Sequence, residues 1–272
     1  MELSSDTSAT PFLKWAGGKR WLVANHSDLI PRNFSRYIEP FLGSGAVFFH
    51  LEPKAAILSD LNEDLIAAYV AIRDHWDLVF AQLRVHARKH SENYYYQQRA
   101  IIPRTSVRAA ARFIYLNRTC WNGLYRVNRS GVFNVPKGTK DSVLLESDNF
   151  KYLAQVLQNA ELKVCDFELT VDSAVAGDLV FIDPPYTVKH NLNGFVKYND
   201  KIFSWMDQVR LKDAVQRACE RGVSVLITNA NHQSIRQLYR GFNMKTLSRA
   251  SVISGSPIGR GSTEEILITN II

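Results

Sequence analysis

The run Leu179-Val180-Phe181-Ile182 is entered through Gly177-Asp178 and left through Asp183-Pro184-Pro185-Tyr186. Four consecutive apolar residues between turn formers read as a strand buried on both faces, the habit of central strands in an α/β sheet. The exit constrains the chain further. Proline disfavours the helical region for the residue before it, so Asp183 and Pro184 are both held extended, and neither proline donates a backbone hydrogen bond. The strand therefore ends in a turn stiffened by Pro184 and Pro185 and rich in acceptors, at the edge where open α/β sheets place their chemistry. The Asp183 carboxylate, the Pro184 carbonyl and the flat Tyr186 ring suit a planar group whose NH2 must be held, polarised and stacked upon, as on a nucleobase. Such an exocyclic amine is a poor nucleophile because its lone pair is delocalised. Hydrogen bonds to two acceptors favour a pyramidal nitrogen and strengthen as positive charge develops on it. The same residues would also serve an ordinary strand with a Pro-Pro turn and a surface aspartate, so other segments must decide.

The stretch Tyr37-Ile38-Glu39-Pro40-Phe41-Leu42-Gly43-Ser44-Gly45-Ala46 reads as a short strand ending at Glu39 or Pro40, a glycine turn, and a helix beginning near Ala46. That is the opening of a nucleotide-binding unit. With only Gly43 and Gly45 in the turn it is a poor phosphate loop and suits an adenosyl group without phosphates. Seventeen positions after Gly43, the run Ala56-Ile57-Leu58-Ser59 ends in Asp60, where an acidic residue holds a ribose in such folds. Asp60 is equally placed to cap the helix that the spacing of Leu65, Tyr69, Ile72, Trp76, Val79 and Leu83 predicts over Asn62 to Leu83. Near the amino terminus, Pro11-Phe12-Leu13-Lys14-Trp15-Ala16-Gly17-Gly18-Lys19-Arg20 reads as a loop wrapped close around a ligand, with Trp15 available to cover a flat or cationic group.

The net charge of +7 is unevenly spread. Residues 84 to 140 hold twelve Lys and Arg against the single acid Glu92, so the rest of the chain is net acidic. Aromatics interleave with these cations, the footprint expected for nucleic acid; Tyr94 to Tyr96 and Phe113 instead read as a small helical core. Within this block, Asn117 to Gly131 has the chemistry of a hairpin that probes DNA. Arg126 carries the paired donors that read guanine, and Trp121 and Leu124 suit insertion between bases, lowering the cost of flipping one out. The plainer alternative makes Trp121 and Leu124 core and Arg126 a phosphate contact. Arg129 beside the turn is a candidate phosphate contact. The basic block interrupts strands near Tyr37, Ala56, Leu162, Leu179, Val223 and Glu265, which predicts a catalytic domain of residues 1–75 and 148–272 with an inserted helical recognition domain over 76–147. A further helix is predicted from the Ser204 cap with Asp207 three residues on, stopping at Gly222.

No run of about 18 apolar residues is present, and Met1 to Thr10 lacks the features of a signal peptide. The chain is expected in the cytoplasm of a bacterium or of a phage-infected cell, as a monomer with no membrane and no obligate protein partner. Cys120, Cys165 and Cys219 lack metal-ligand spacing and are expected to be free thiols, with no metal site.

In this order these segments resemble one family, the Dam-like (D12 class, α group) DNA adenine methyltransferases. These carry an amino-terminal Lys-Trp-Ala-Gly-Gly-Lys, here Lys14 to Lys19; a Phe-x-Gly-x-Gly cofactor loop, here Phe41 to Gly45; a target-recognition insertion; and Asp-Pro-Pro-Tyr. Asn117-Arg118, Asn122-Gly123-Leu124, Arg126, Phe133-Asn134-Val135-Pro136, Asp207-Gln208 and Arg210-Leu211 extend the resemblance, which runs from about Pro11 to Asn270. It implies a Rossmann-like methyltransferase sheet that binds S-adenosylmethionine, with Trp15, Lys19, Phe41, Gly43, Gly45, Asp60 and Asp183 at the cofactor and Asp166-Phe167 holding and stacking on its adenine. It implies double-stranded DNA as partner, with Lys14, Leu124, Arg126 and Pro136 at the bases, Asn122 among the DNA-binding residues, Trp121 as intercalating ring where relatives have Tyr or Phe, and the palindrome guanine-adenine-thymine-cytosine as target. An adenine methyltransferase for structured RNA and an inactive DNA-binding regulator are the alternatives; intact Asp183, Tyr186 and Gly43 argue against the second. Residues 250–263 depart from relatives, with Arg260 the only cation.

Overall fold

The computed structural model describes residues 9–128, 131–188, 203–250 and 262–271. Its strands are β1 (Tyr37–Glu39), β2 (Ala56–Asp60), β3 (Ala160–Val164), β4 (Leu179–Ile182), β5 (Ser224–Ala230), β6 (Asn243–Ala250) and β7 (Ser262–Thr269). Among the described residues they form one sheet in the order β3-β2-β1-β4-β5-β7-β6. β1, β4 and β5 run parallel, and β7 is antiparallel to both β5 and β6. The first five positions follow the doubly wound Rossmann order, with β7 slipped in before β6. The order reverses between β1 and β4, so the C-terminal ends carrying Glu39 and Asp183 stand at the switch point where such sheets take ligands.

The pleat explains why the β4 sequence is apolar throughout. Val180 and Ile182 point into the same core cluster as Ile38, Val225, Ile227, Ile266 and Ile268, and the register sets Ile38 beside Val180, and Ile182 beside Ile227. Leu179 and Phe181 lie on the opposite face and are also buried. Burying each such side chain stabilises by roughly 1.5–3 kcal/mol relative to leaving it in water. β6 was not foreseen, because among its described side chains only Leu247 is buried, and an edge strand of mostly polar residues leaves no apolar run.

The chain divides into two compact units. One comprises Met1–Asn25, Leu42–Ala56 and Asp60–Val164; the other His26–Phe41, Ile57–Ser59 and Cys165–Ile272. After α1 (Arg20–His26), the first carries α2 (Ala46–Leu51), α3 (Glu63–Lys89), α4 (Glu92–Ala100), α5 (Ser106–Thr119) and α6 (Phe150–Leu157). Asn62 caps α3 by accepting from the Leu65 N–H, and a non-helical residue, His75, interrupts it. Tyr95, Phe113 and Tyr115 are buried in this unit, whereas Tyr96 is exposed. The second unit carries α7 (Phe167–Asp172), α8 (Trp205–Glu220) and α9 (Gln233–Leu238). The predicted start of α8 is a reciprocal capping box between Ser204 and Asp207, worth about 1 kcal/mol. Gly222, in the left-handed region at φ +81°, follows its end. Its apolar face, Leu211, Ala214, Val215 and Ala218, packs into the sheet core. Cys120, Cys165 and Cys219 are free thiols. No described helix is long and apolar enough to cross a membrane.

Candidate active site and recognition hairpin

The Asp183–Tyr186 turn begins where β4 ends, and its side chains are held by the strands beyond. The Thr228 hydroxyl, on β5, donates to Asp183 Oδ1 over 2.8 Å and interacts with the Tyr186 phenol as well. Tyr186 Oη donates to Glu265 Oε2 on β7 over 2.6 Å. Pro184 is buried and Pro185 half-buried. Under the neighbouring strand end, the fully buried Tyr37 donates to Glu39 Oε2 over 2.9 Å. Both phenols are pushed well above their ordinary value, by burial first and then by carboxylates: Asp183 and Glu265 for Tyr186, Glu39 and Asp183 for Tyr37. They remain hydrogen-bond donors throughout the neutral range. Asp183 and Glu39 thus stand at the ends of β4 and β1, and Glu265 within β7 opposite the end of β5, three carboxylates each accepting from a hydroxyl. Such an array attracts positive charge and N–H groups. Glu265, Thr228 and the Tyr37–Glu39 pair are functional candidates that the sequence did not expose as such.

In the same unit, Asp166 caps α7 by accepting from the Glu168 N–H and takes Arg210 Nη2 at 2.6 Å. The Phe167 ring is 3% exposed. Phe41 stacks against it at 5.3 Å and the Arg210 guanidinium lies 4.6 Å from its centre. These two predicted adenine contacts are therefore already engaged by protein, as are the Phe41 ring and its neighbour Phe203.

In the first unit the glycine loop is braced from three sides. The Gly43 N–H donates to Asp60 Oδ2 over 3.2 Å, the Tyr69 hydroxyl donates to the Gly43 carbonyl over 3.1 Å, and Gly45 N–H donates to the Leu42 carbonyl over 2.8 Å. Gly43 sits at φ +47°, and a β-carbon there would meet Trp15 Cδ1 at 2.7 Å. Asp60 also accepts from the Asn62 N–H. Since Asn62 is the α3 cap, Asp60 braces the loop rather than the helix. Burial raises its carboxyl, against the opposing pull of the Asn62 and Gly43 amides. A phosphate cradle needs amides that point at the ligand; two here are satisfied internally, which fits a nucleoside without phosphates. The Asn62 and Gly43 amides take separate oxygens of Asp60, the Leu61 amide is a further donor to it, and a carboxylate's roughly four lone-pair sites leave capacity for a ribose hydroxyl. Trp15 stacks on Tyr125 at 6.0 Å, and the buried Lys19 ammonium donates to the Gly17 carbonyl over 2.6 Å. Lys14 is tied through its backbone: Asn117 Oδ1 accepts from its N–H and Asn117 Nδ2 donates to its carbonyl.

The predicted hairpin is present, with antiparallel bridges Cys120–Lys137 and Val127–Phe133. Its root is locked. Arg118 is buried and paired with Asp148 at 2.6 Å, and its guanidinium also donates to the Phe12 and Val143 carbonyls. The Tyr95 hydroxyl donates to the Val135 carbonyl. The tip is open. Trp121 is 51% exposed, Asn122 is exposed in the left-handed region at φ +55°, Arg126 and Pro136 are exposed, and Leu124 is half-buried. Arg126 Nε reaches Asn134 Oδ1 at 3.3 Å. Trp121 is therefore no core residue. Arg129 and residues 251–261 lie outside the described residues.

A profile of the D12 class N6 adenine-specific DNA methyltransferases matches residues 15–253. The chain is 35% identical to the type II methyltransferase M1.LlaDCHI of Lactococcus lactis subsp. cremoris, over 96% of this chain and 95% of that protein. It is 34% identical to the type II methyltransferase M.MjaIII of Methanocaldococcus jannaschii, covering 90% and 92%. The DNA adenine methylase of Escherichia coli (strain K12) is 30% identical, covering 94% and 93%.

Proposed function

The chain belongs to the D12 class of N6 adenine-specific DNA methyltransferases, and from that premise we propose that it flips an adenine out of the duplex palindrome guanine-adenine-thymine-cytosine and methylates it from S-adenosylmethionine. The observation that carries this reading is the Asp183 carboxylate, oriented by Thr228 beside the Tyr186 ring. Asp183 and the Pro184 carbonyl accept the two amine hydrogens, so the nitrogen lone pair localises and points away from the ring as the base stacks on Tyr186. The developing ammonium strengthens both hydrogen bonds, which is the differential stabilisation that accelerates a step. No base has to remove a proton before attack; the surplus proton leaves afterwards from an acidified nitrogen. The cofactor when bound supplies a methyl on an electrophilic sulfonium, and Trp15, Lys19, Phe41, Gly43, Gly45, Asp60, Asp166, Phe167 and Asp183 are its proposed contacts. Lys14, Trp121, Asn122, Leu124, Arg126 and Pro136, with Arg129, are the proposed DNA contacts, with the enzyme working as a monomer in the cell that holds its DNA.

The test is incorporation of labelled methyl from S-adenosylmethionine into duplexes with and without the palindrome, with duplex RNA of matched sequence alongside. N6-methyladenine confined to the palindrome is expected. Equal incorporation into every duplex removes the target assignment, and incorporation into the RNA alone removes the DNA reading.

A further inference from the structure

We propose that Glu265 is a positioning residue for methyl transfer: by accepting the hydrogen bond of the Tyr186 hydroxyl it fixes the plane on which the target base stacks. The proposal rests on the base-handling role of the Asp183–Tyr186 turn.

Glu265 is 1% exposed and lies in a strand paired on both sides, opposite Ala230 of β5 and Leu247 of β6. Its backbone is therefore held by two ladders. A buried carboxyl is unfavourable unless it is hydrogen-bonded, and this one accepts from a phenol at 2.6 Å. The phenolic hydrogen lies in the ring plane, because the oxygen lone pair conjugates with the ring. An acceptor fixed in space therefore sets both the direction of the ring axis and the rotation of the ring about it. Thr228 stands two residues before Ala230 on the neighbouring strand and holds Asp183 at 2.8 Å. The carboxylate that polarises the amine and the ring that carries the base are thus referred to the same β5–β7 ladder. A chain needing only an aromatic surface would be served by phenylalanine at 186. The hydroxyl, aimed at a buried carboxylate 79 residues away, points to a demand on orientation.

The experiment is a double-mutant cycle on single-turnover methylation of a matched duplex, with Tyr186→Phe, Glu265→Leu, the pair combined, and Glu265→Gln. Each single variant is expected to slow transfer about tenfold, the loss of one buried hydrogen bond. Tyr186→Phe also removes the Thr228 contact, so the combined variant should be slowed no more than Tyr186→Phe alone, because Glu265→Leu then has no phenol left to lose. Glu265→Gln should recover most of the rate through its amide carbonyl, and Tyr186→Phe should bind duplex and cofactor as the wild type does. Tyr186→Phe at the wild-type rate, or single losses that multiply in the pair, overturns the proposal. Should Glu265→Leu fail to fold, Tyr186→Phe and Glu265→Gln decide it: slow in the first and near-normal in the second supports it, and any other pattern overturns it. If the wild type makes no N6-methyladenine at all, the function reading falls with it, which separates the two failures.

Discussion

The Asp183–Tyr186 turn and the Trp121–Pro136 hairpin are both short and both carry the proposed function, yet they are built in opposite ways. In the turn, every working side chain is gripped by a neighbour on an adjoining strand: Asp183 by Thr228, Tyr186 by Glu265. In the hairpin the grip is taken on other residues: Asn117, Arg118, Tyr95 and the Tyr125–Asp64 hydrogen bond anchor it, while Trp121, Asn122, Arg126 and Pro136 among the proposed DNA contacts are exposed. Under the proposed function the turn is preorganised because the rate depends on interactions that must cost nothing to form at the moment of reaction. The proposed reading surface can leave side chains loose, because DNA would supply the missing partners and a wrong sequence would find them unpaired.

The contrast can be broken first at the hairpin root. Arg118→Ala strands the buried Asp148 charge and should cost about 3–5 kcal/mol of stability, measured by urea unfolding. A loss below about 1 kcal/mol would mean that the root is no anchor. Next comes the turn: Asp183→Ala should slow single-turnover transfer at least about a hundredfold while binding of the matched duplex survives. Near-normal turnover would end the polarising role. On the exposed arm of the hairpin, Arg126→Ala should leave stability unchanged and lose roughly 1–3 kcal/mol of discrimination at one guanine, read as rate ratios at fixed salt for duplexes changed one base pair at a time. Equal slowing on all of them would make Arg126 a backbone contact. The smallest effect is at Asn122, whose left-handed backbone suits glycine. Asn122→Gly should melt within a degree or two of the wild type, while its affinity for the duplex falls about fivefold, the scale of one exposed hydrogen bond. An affinity identical to wild type would reduce Asn122 to a turn residue.

What the sequence disclosed follows the range of the interactions involved. The β4 run, the Ser204–Asp207 capping box and the Gly43–Gly45 turn are set by neighbours a few residues apart, so their patterns are local and legible. Asp60 was ambiguous between two local roles, and the tertiary hydrogen bond to Gly43 decided for the loop. Glu265 and Thr228 were invisible as partners of the turn because β-strand pairing brings them in from 79 and 45 residues away. Trp121 was open between core and surface because both readings use the same apolar ring; only its half exposure separates them.

The 2.7 Å approach of a would-be Gly43 β-carbon to the Trp15 indole ties together two segments that are far apart in the chain. The indole is only one of two restraints on Gly43, because at φ +47° any side chain is strained whatever the space around it. Gly43→Ala should therefore be poorly tolerated even when a smaller residue stands at 15, which relieves the contact and leaves the backbone strain. Across descendants of this gene, position 43 is expected to stay glycine while the size of residue 15 drifts without it.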